Sequence, residues 1–82
     1  QRAARARRIV ATAEPQHLFV EFYDRNGTVV ASKRTLGNSL TWNLRSATGQ
    51  RVANGVYFYR VEMTSAAGEI THSALKKLVV MQ

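Results

Sequence analysis

The 82 residues carry twelve Lys and Arg against five Asp and Glu, a formal net charge of +7. A chain of this length makes one small domain with a single core. The absence of cysteine excludes a disulfide framework, a CxxC redox pair, a thiolate zinc site and a cysteine nucleophile. An apolar content of 45% is too high for disorder.

Basicity on this scale invites a nucleic-acid reading, so the distribution of charge matters more than its sum. Arg2, Arg5, Arg7 and Arg8 place four of the twelve cations in the first eight residues. Beyond residue 8 the balance is eight against five, a net of only +3. The excess belongs largely to a short basic arm, residues 1–8, ahead of a domain spanning 9–82. The arm is rich in Ala and Arg and has helix propensity, but eight residues alone are marginal in water. The chain opens on Gln1, which reads as a piece of a longer polypeptide whose leader has been processed or excised.

From Ile9 onward the pattern predicts strands cut by turns. Arg8 to Ala13 is a β-branched run, ended by Glu14-Pro15-Gln16, because Pro15 cannot donate to a ladder. His17 to Tyr23 alternates, with Leu18, Val20 and Phe22 on one face. Asn26-Gly27 is a strong hairpin signal, and Thr28 to Ser32 is the expected return strand. Leu36 to Ser39 breaks it, and Leu40 to Leu44 follows with Leu40, Trp42 and Leu44 on one face. After a turn over Ser46 to Gly49 and a second Asn-Gly at Asn54-Gly55 comes the longest strand, Val56 to Thr64. There Tyr57, Tyr59, Val61 and Met63 face one way, while Phe58, Arg60 and Glu62 face the other. Ser65 to Gly68 connects to a last strand, Glu69 to Met81, where Lys76-Lys77 interrupts the alternation and predicts a bulge or a change of sheet. Six to seven short, mostly antiparallel strands at this spacing predict an all-β sandwich or barrel.

Three stretches together resemble a known family. Phe22-Tyr23-Asp24-Arg25-Asn26-Gly27-Thr28-Val29-Val30 is similar to its "strand, Asp-x-x-Gly, x, Val" hairpin, and Gly37 with Leu40-Thr41-Trp42-Asn43 to its Gly-to-Trp strand. Most specific is Gly49-Gln50-Arg51-Val52-Ala53-Asn54-Gly55-Val56-Tyr57-Phe58-Tyr59-Arg60-Val61, which resembles its "Gly-x-x-Val-x-x-Gly-Val-Tyr-x-Tyr-x-apolar" signature. This is the immunoglobulin-like domain shared by the flagellar hook-capping protein (FlgD-like) and the C-terminal sorting domains of type IX secretion cargo. The likeness covers roughly Leu18 to Met81, with Lys76-Lys77-Leu78-Val79-Val80 matching the family's terminal strand. Two features depart from the pattern. Trp42 runs into Asn43-Leu44-Arg45 rather than an Asp/Asn-Gly turn, and the family's Asn-Pro-Phe box is replaced by Arg5 to Gln16.

The resemblance implies an immunoglobulin-like β-sandwich in which Gly27, Trp42, Gly49, Gly55, Tyr57 and Tyr59 are fold determinants rather than reactive groups. Gly55 would supply a positive φ before a buried strand. Tyr57 and Tyr59 would fill the core with their hydroxyls near the sandwich end, and Trp42 would pack between the sheets. By the same resemblance, the last strand with Lys76 and Lys77 is the part a secretion machine would read.

Catalytic groups are scarce. The histidines are His17 and His72, and Asp24 is the only Asp. His17 and Asp24 lie seven apart, so on one regular strand they point to opposite faces and form no base–orienter pair. Asp24-x-Asn26 imitates the start of a calcium loop, but position twelve in that frame is Thr35 rather than Glu. Neither a catalytic nor a metal site nor a cofactor is expected. Single-stranded nucleic-acid binders combine cations with exposed aromatics such as Phe19 and Phe58, and a small basic β-barrel is the alternative reading. It lacks the basic-Gly-aromatic-Gly opening of an RNA-recognition strand, so nucleic acid is not the expected partner. Ala3, Ala4 and Ala6 form too weak an apolar side for the arm to insert in a membrane.

The expected function is therefore non-catalytic. The chain reads as a structural or interaction module of an exported or cell-surface bacterial protein: a C-terminal accessory, sorting or assembly domain, or a small subunit docked on a larger complex. A flagellar hook-cap scaffold is a further alternative. The expected partners are other protein chains, met through Arg2, Arg5, Arg7, Arg8, Phe19 and Phe58.

Overall fold

Alternation builds strands here because one side of each sheet faces another sheet while the other faces water. The computed structural model describes residues 6–10 and 16–82. Among them lie seven strands and no helix: β1 (Arg7–Val10), β2 (His17–Tyr23), β3 (Val29–Leu36), β4 (Ser39–Trp42), β5 (Gly55–Thr64), β6 (Ile70–His72) and β7 (Lys76–Val80). β1 and β4 pair into a two-stranded sheet, and the larger sheet runs β3-β2-β5, with β6 and β7 both on the far side of β5. Every pairing is antiparallel.

The two sheets close on one core. Leu18, Val20, Phe22, Tyr57, Val61, Leu78 and Val80 of the larger sheet meet Ile9, Leu40 and Trp42 of the smaller one, with Leu44 and Val52 from the connection between β4 and β5. Trp42 sits at its centre with none of its surface exposed. Its ring stacks on Phe22 at 4.1 Å and 17°, and meets Tyr57 edge-on at 6.1 Å and 74°. The indole N–H donates to the Arg45 carbonyl at 2.9 Å, so the most buried aromatic keeps no polar atom unpartnered. The Tyr57 hydroxyl reaches back to the Ala53 carbonyl at 2.7 Å. That is the geometry of a tyrosine corner, as found in immunoglobulin-type sandwiches.

The structure differs from the sequence reading at strand ends. β1 begins at Arg7, so Arg7 and Arg8 are strand residues rather than part of a free arm. Arg2, Arg5 and Pro15 lie outside the described residues. β3 continues through Lys33 and Arg34 to Leu36 instead of ending at Ser32, because β2 offers partners along its whole length. β4 stops at Trp42. Leu44 follows with φ of 62°, in the region a glycine would favour, yet only 1% of it is exposed. Burial of that side chain holds the backbone in this conformation.

The interruption read at Lys76-Lys77 is a bulge and not a change of sheet, and it lies just before them, between His72 and Lys76. β6 and β7 run along the same neighbour, β5, with their registers offset by one residue. The Val61 amide donates to the Ser73 hydroxyl at 2.9 Å, and the Ser73 amide to the Val61 carbonyl at 2.8 Å, which closes the ladder across the irregularity. The offset resets the alternation, so that Leu78 and Val80 enter the core.

Candidate docking surface

The larger sheet turns one face to the core and the other outward. β2 contributes His17, Phe19, Glu21 and Tyr23 to the outer face, opposite Thr64, Glu62, Arg60 and Phe58 of β5. Phe19 and Phe58 therefore share one face, as their alternation implies. Both are half-buried rather than exposed. The Arg34 guanidinium covers Phe19 at 5.1 Å from the ring centre. Phe58 lies between Tyr23 of β2 and Lys77 of β7 in the cross-strand register.

At the turn end of this face an open hollow is lined by Tyr23, Asp24, Arg25, Phe58, Arg60 and Leu75, along with the turn residues Asn26 and Gly27. The acidic groups around it are engaged. Asp24 Oδ1 accepts the amides of Asn26 at 2.9 Å and Thr28 at 3.0 Å, so Asp24 shapes the hairpin in which Gly27 takes a φ of 86°. Glu21 Oε1 accepts the Tyr23 hydroxyl at 2.9 Å. Burial, then the hydrogen bond and charge of Glu21, push the Tyr23 phenol above its ordinary pKa, against the pull of Arg60. The Tyr57 phenol is pushed up as well, by burial first and then by the charge of Asp24.

His72 Nε2 meets Glu62 Oε1 at 3.0 Å in a hydrogen bond across β6 and β5. Sequence reading missed it, although counting back through the Ser65–Gly68 turn would have set the two side by side. It lies on the exposed sheet face, and among the described residues neither histidine hydrogen-bonds a Ser or Thr hydroxyl. No group of three or more His, Cys, Asp or Glu side chains comes together among the described residues.

The edge of the larger sheet next to the hollow is formed by β6 and β7. Lys76 and Lys77 are exposed on β7, on opposite faces, with Lys76 opposite Tyr59 and Lys77 opposite Phe58. Val79, Leu75 and Met81 add exposed apolar surface along this edge. Its far end is fixed in place: Asn54 Oδ1 accepts the Gln82 amide at 2.9 Å, and the Gln82 side-chain amide donates to the Val52 carbonyl. Arg7 reaches over from β1 and donates to the Val79 carbonyl at 2.8 Å. One cation of the basic arm thus touches this chain's own edge strand, and Arg8 beside it is exposed.

Gly55 opens β5 with φ of 148°, Gly49 takes 88° in the preceding turn, and Tyr59 packs on the core 6.1 Å from Phe22.

No protein-family profile matches the sequence, and no curated protein does. Solved structures do match. A crystal structure of FlgD from Xanthomonas campestris, described for its part in hook capping, aligns with TM-score 0.67 and 26% identity over 90% of this chain. Dimeric latent PorU from Porphyromonas gingivalis aligns with TM-score 0.65 and 30% identity over 85% of it. FlgD from P. aeruginosa aligns with TM-score 0.65 over 92% of it, at 18% identity, a likeness of fold. The chain spans 55% and 59% of the two FlgD chains and 7% of the PorU chain. With two antiparallel sheets and a tyrosine corner, the chain is a β-sandwich similar to part of FlgD and to part of PorU. The resemblance read from its Gly-Val-Tyr-x-Tyr signature is borne out.

Proposed function

We propose that the chain is a non-catalytic docking module of an exported or cell-surface bacterial protein, which recruits another protein chain through the β6–β7 edge and the adjoining outer face. The observation that carries this reading is the character of that edge. It is anchored by Asn54 and Gln82, bears Lys76 and Lys77, and presents unmatched apolar surface at Leu75 and Val79. Strand edges of this kind recruit polypeptide by pairing, with adjacent side chains supplying selectivity. The likeness to a part amounting to 7% of PorU supports an appended role, since a small unit of that kind rides on a much larger chain.

A sorting role is tested by fusing the chain behind a signal peptide and a fluorescent reporter in a bacterium with type IX secretion. The expected result is reporter at the cell surface, lost when Lys76 and Lys77 are both changed to Glu in a domain that still folds. Reporter retained in the periplasm by the unaltered chain would overturn the sorting role. The likeness to FlgD over 90% of this chain favours a second reading, an assembly scaffold of the hook-cap type. That reading expects a ring- or cap-like oligomer and association with flagellar subunits, measurable by light scattering.

A further inference from the structure

The hollow on the outer face is lined by two cations, Arg25 and Arg60, and one carboxylate, Asp24, with Lys77 beside Phe58 in the neighbouring strand. Arg25 lies in the β2–β3 turn, Arg60 on β5 and Lys77 on β7, so three separate segments bring a cation to one end of the sheet. All three are exposed, and no carboxylate lies within salt-bridge distance of any of them among the described residues. Glu21 is the cross-strand partner of Arg60, yet its carboxylate turns to the Tyr23 hydroxyl. Asp24, the other acid nearby, caps two turn amides. Between the cations lies an apolar floor of Phe58 and Leu75, the latter half exposed at 52%. A ligand suited to this arrangement has an anionic head, an apolar stem and a shape compatible with a sheet edge.

We propose that this hollow binds an acidic side chain of an extended polypeptide lying along β7, with its carboxylate between Arg25 and Arg60 and its stem on Phe58 and Leu75. The inference deepens the docking function proposed above, and rests on it only for the identity of the β7 edge. Polypeptide is favoured over single-stranded nucleic acid because only a polypeptide can pair with the backbone groups of a strand edge. Alternating sequence is required of the ligand, because every second residue of an extended chain falls on the same face. Exposed charge pairs are individually weak and screened by salt, so affinity is modest and falls as ionic strength rises.

The test is a titration of the isotope-labelled full chain, followed by amide chemical shifts, with a capped heptapeptide alternating Glu and Val. Its counterparts are the same peptide with Gln for Glu and a thymidine decanucleotide. Saturable shifts are expected at Arg25, Phe58, Arg60, Leu75 and Lys77, with the Gln peptide binding roughly tenfold more weakly. Arg60→Gln and Arg25→Gln, both at exposed positions, should each weaken binding by about threefold to fivefold. Arg51→Gln, on the connection between β4 and β5, should leave it unchanged. Equal binding of the Gln peptide, shifts confined to another surface, no shifts up to millimolar peptide, or tighter binding of the oligonucleotide would each overturn the proposal. Peptide binding with no reporter export would reject the sorting role and leave the site standing. Export and peptide binding that both survive Arg60→Gln and Arg25→Gln together would reject the site alone.

Discussion

Replacing Trp42 by Ala should nearly unfold the domain, whereas replacing Phe58 by Ala should leave it largely intact. The indole of Trp42 is fully buried, stacks on Phe22, meets Tyr57 edge-on and donates to Arg45. Removing a buried aromatic of this size costs about 3–5 kcal/mol through lost transfer energy and the cavity left behind. A single domain of this length has a total stability on the order of 4–12 kcal/mol. Trp42→Ala therefore removes about a quarter of the stability or more, in a chain too small for a second core to compensate. Trp42→Phe keeps a ring on Phe22 but loses the indole hydrogen bond and some volume, for about 1.5–3 kcal/mol. Phe58 is half-buried on the outer face, and its removal should cost below about 1.5 kcal/mol. Urea unfolding followed by far-UV circular dichroism measures all three, provided the slope with denaturant stays constant. A Trp42→Ala variant within about 1 kcal/mol of the unaltered chain would refute the packing of the two sheets through this residue.

Gly55→Ala should cost about 1–2 kcal/mol in the same assay, because φ of 148° strains a residue with a Cβ although nothing lies within 4 Å of that atom. Leu44→Gly relieves roughly 1 kcal/mol of backbone strain at φ of 62° but gives up a buried side chain, so net destabilisation by about 1–3 kcal/mol is expected. Ser73→Ala leaves the amide of buried Val61 without its hydroxyl partner at the bulge and should cost about 1–2 kcal/mol. The Tyr23 and Tyr57 phenols have raised folded-state pKa values, so the fold favours their neutral forms. Their contribution is complete below the unfolded tyrosine value of about 10, and is lost as pH rises through the folded values. The urea midpoint should accordingly fall above about pH 10, and by less in Tyr57→Phe. A midpoint that rises there would contradict the assignment.

Much of the fold is legible in local pattern. β2 and β5 alternate without interruption because they are central strands with one apolar face, and Asn26-Gly27 marks the connection of β2 to β3 through turn chemistry alone. The second half of β3 escapes the pattern, since Lys33 and Arg34 mimic a loop. Arg34 belongs to the strand because its guanidinium rests on Phe19 across the pair with β2. The start of β1 is hidden for a similar reason, as Arg7 and Arg8 read as tail until Trp42 and Thr41 provide their ladder partners. The bulge shows in sequence as a broken alternation at Lys76-Lys77, but its outcome depends on which strand lies alongside.

The docking surface is less legible. Phe19 and Phe58 can be assigned to one kind of face from period-two alternation, and Lys76 and Lys77 stand out by charge. Arg60 shares the alternation of Phe58, but Arg25 and Leu75 carry no local signal. They come together only through the register of β2, β5 and β7, which sequence distance conceals. The original +7 likewise changes meaning in three dimensions. Arg7 spends its guanidinium on Val79, while Arg25, Arg60 and Lys77 stand at the turn end of the outer face.

The central claim is that this sandwich works by holding another polypeptide at the β6–β7 edge. It is tested most directly by placing a photo-crosslinking amino acid at Leu75 or Val79, and for comparison at Gln50 at the far connection, in the chain as it occurs in its own cell. The account predicts an adduct of one defined mass, with an extended acidic segment at the crosslinked site, from Leu75 and Val79 and none from Gln50. Adducts from Gln50 alone, or none from either edge position, would contradict it.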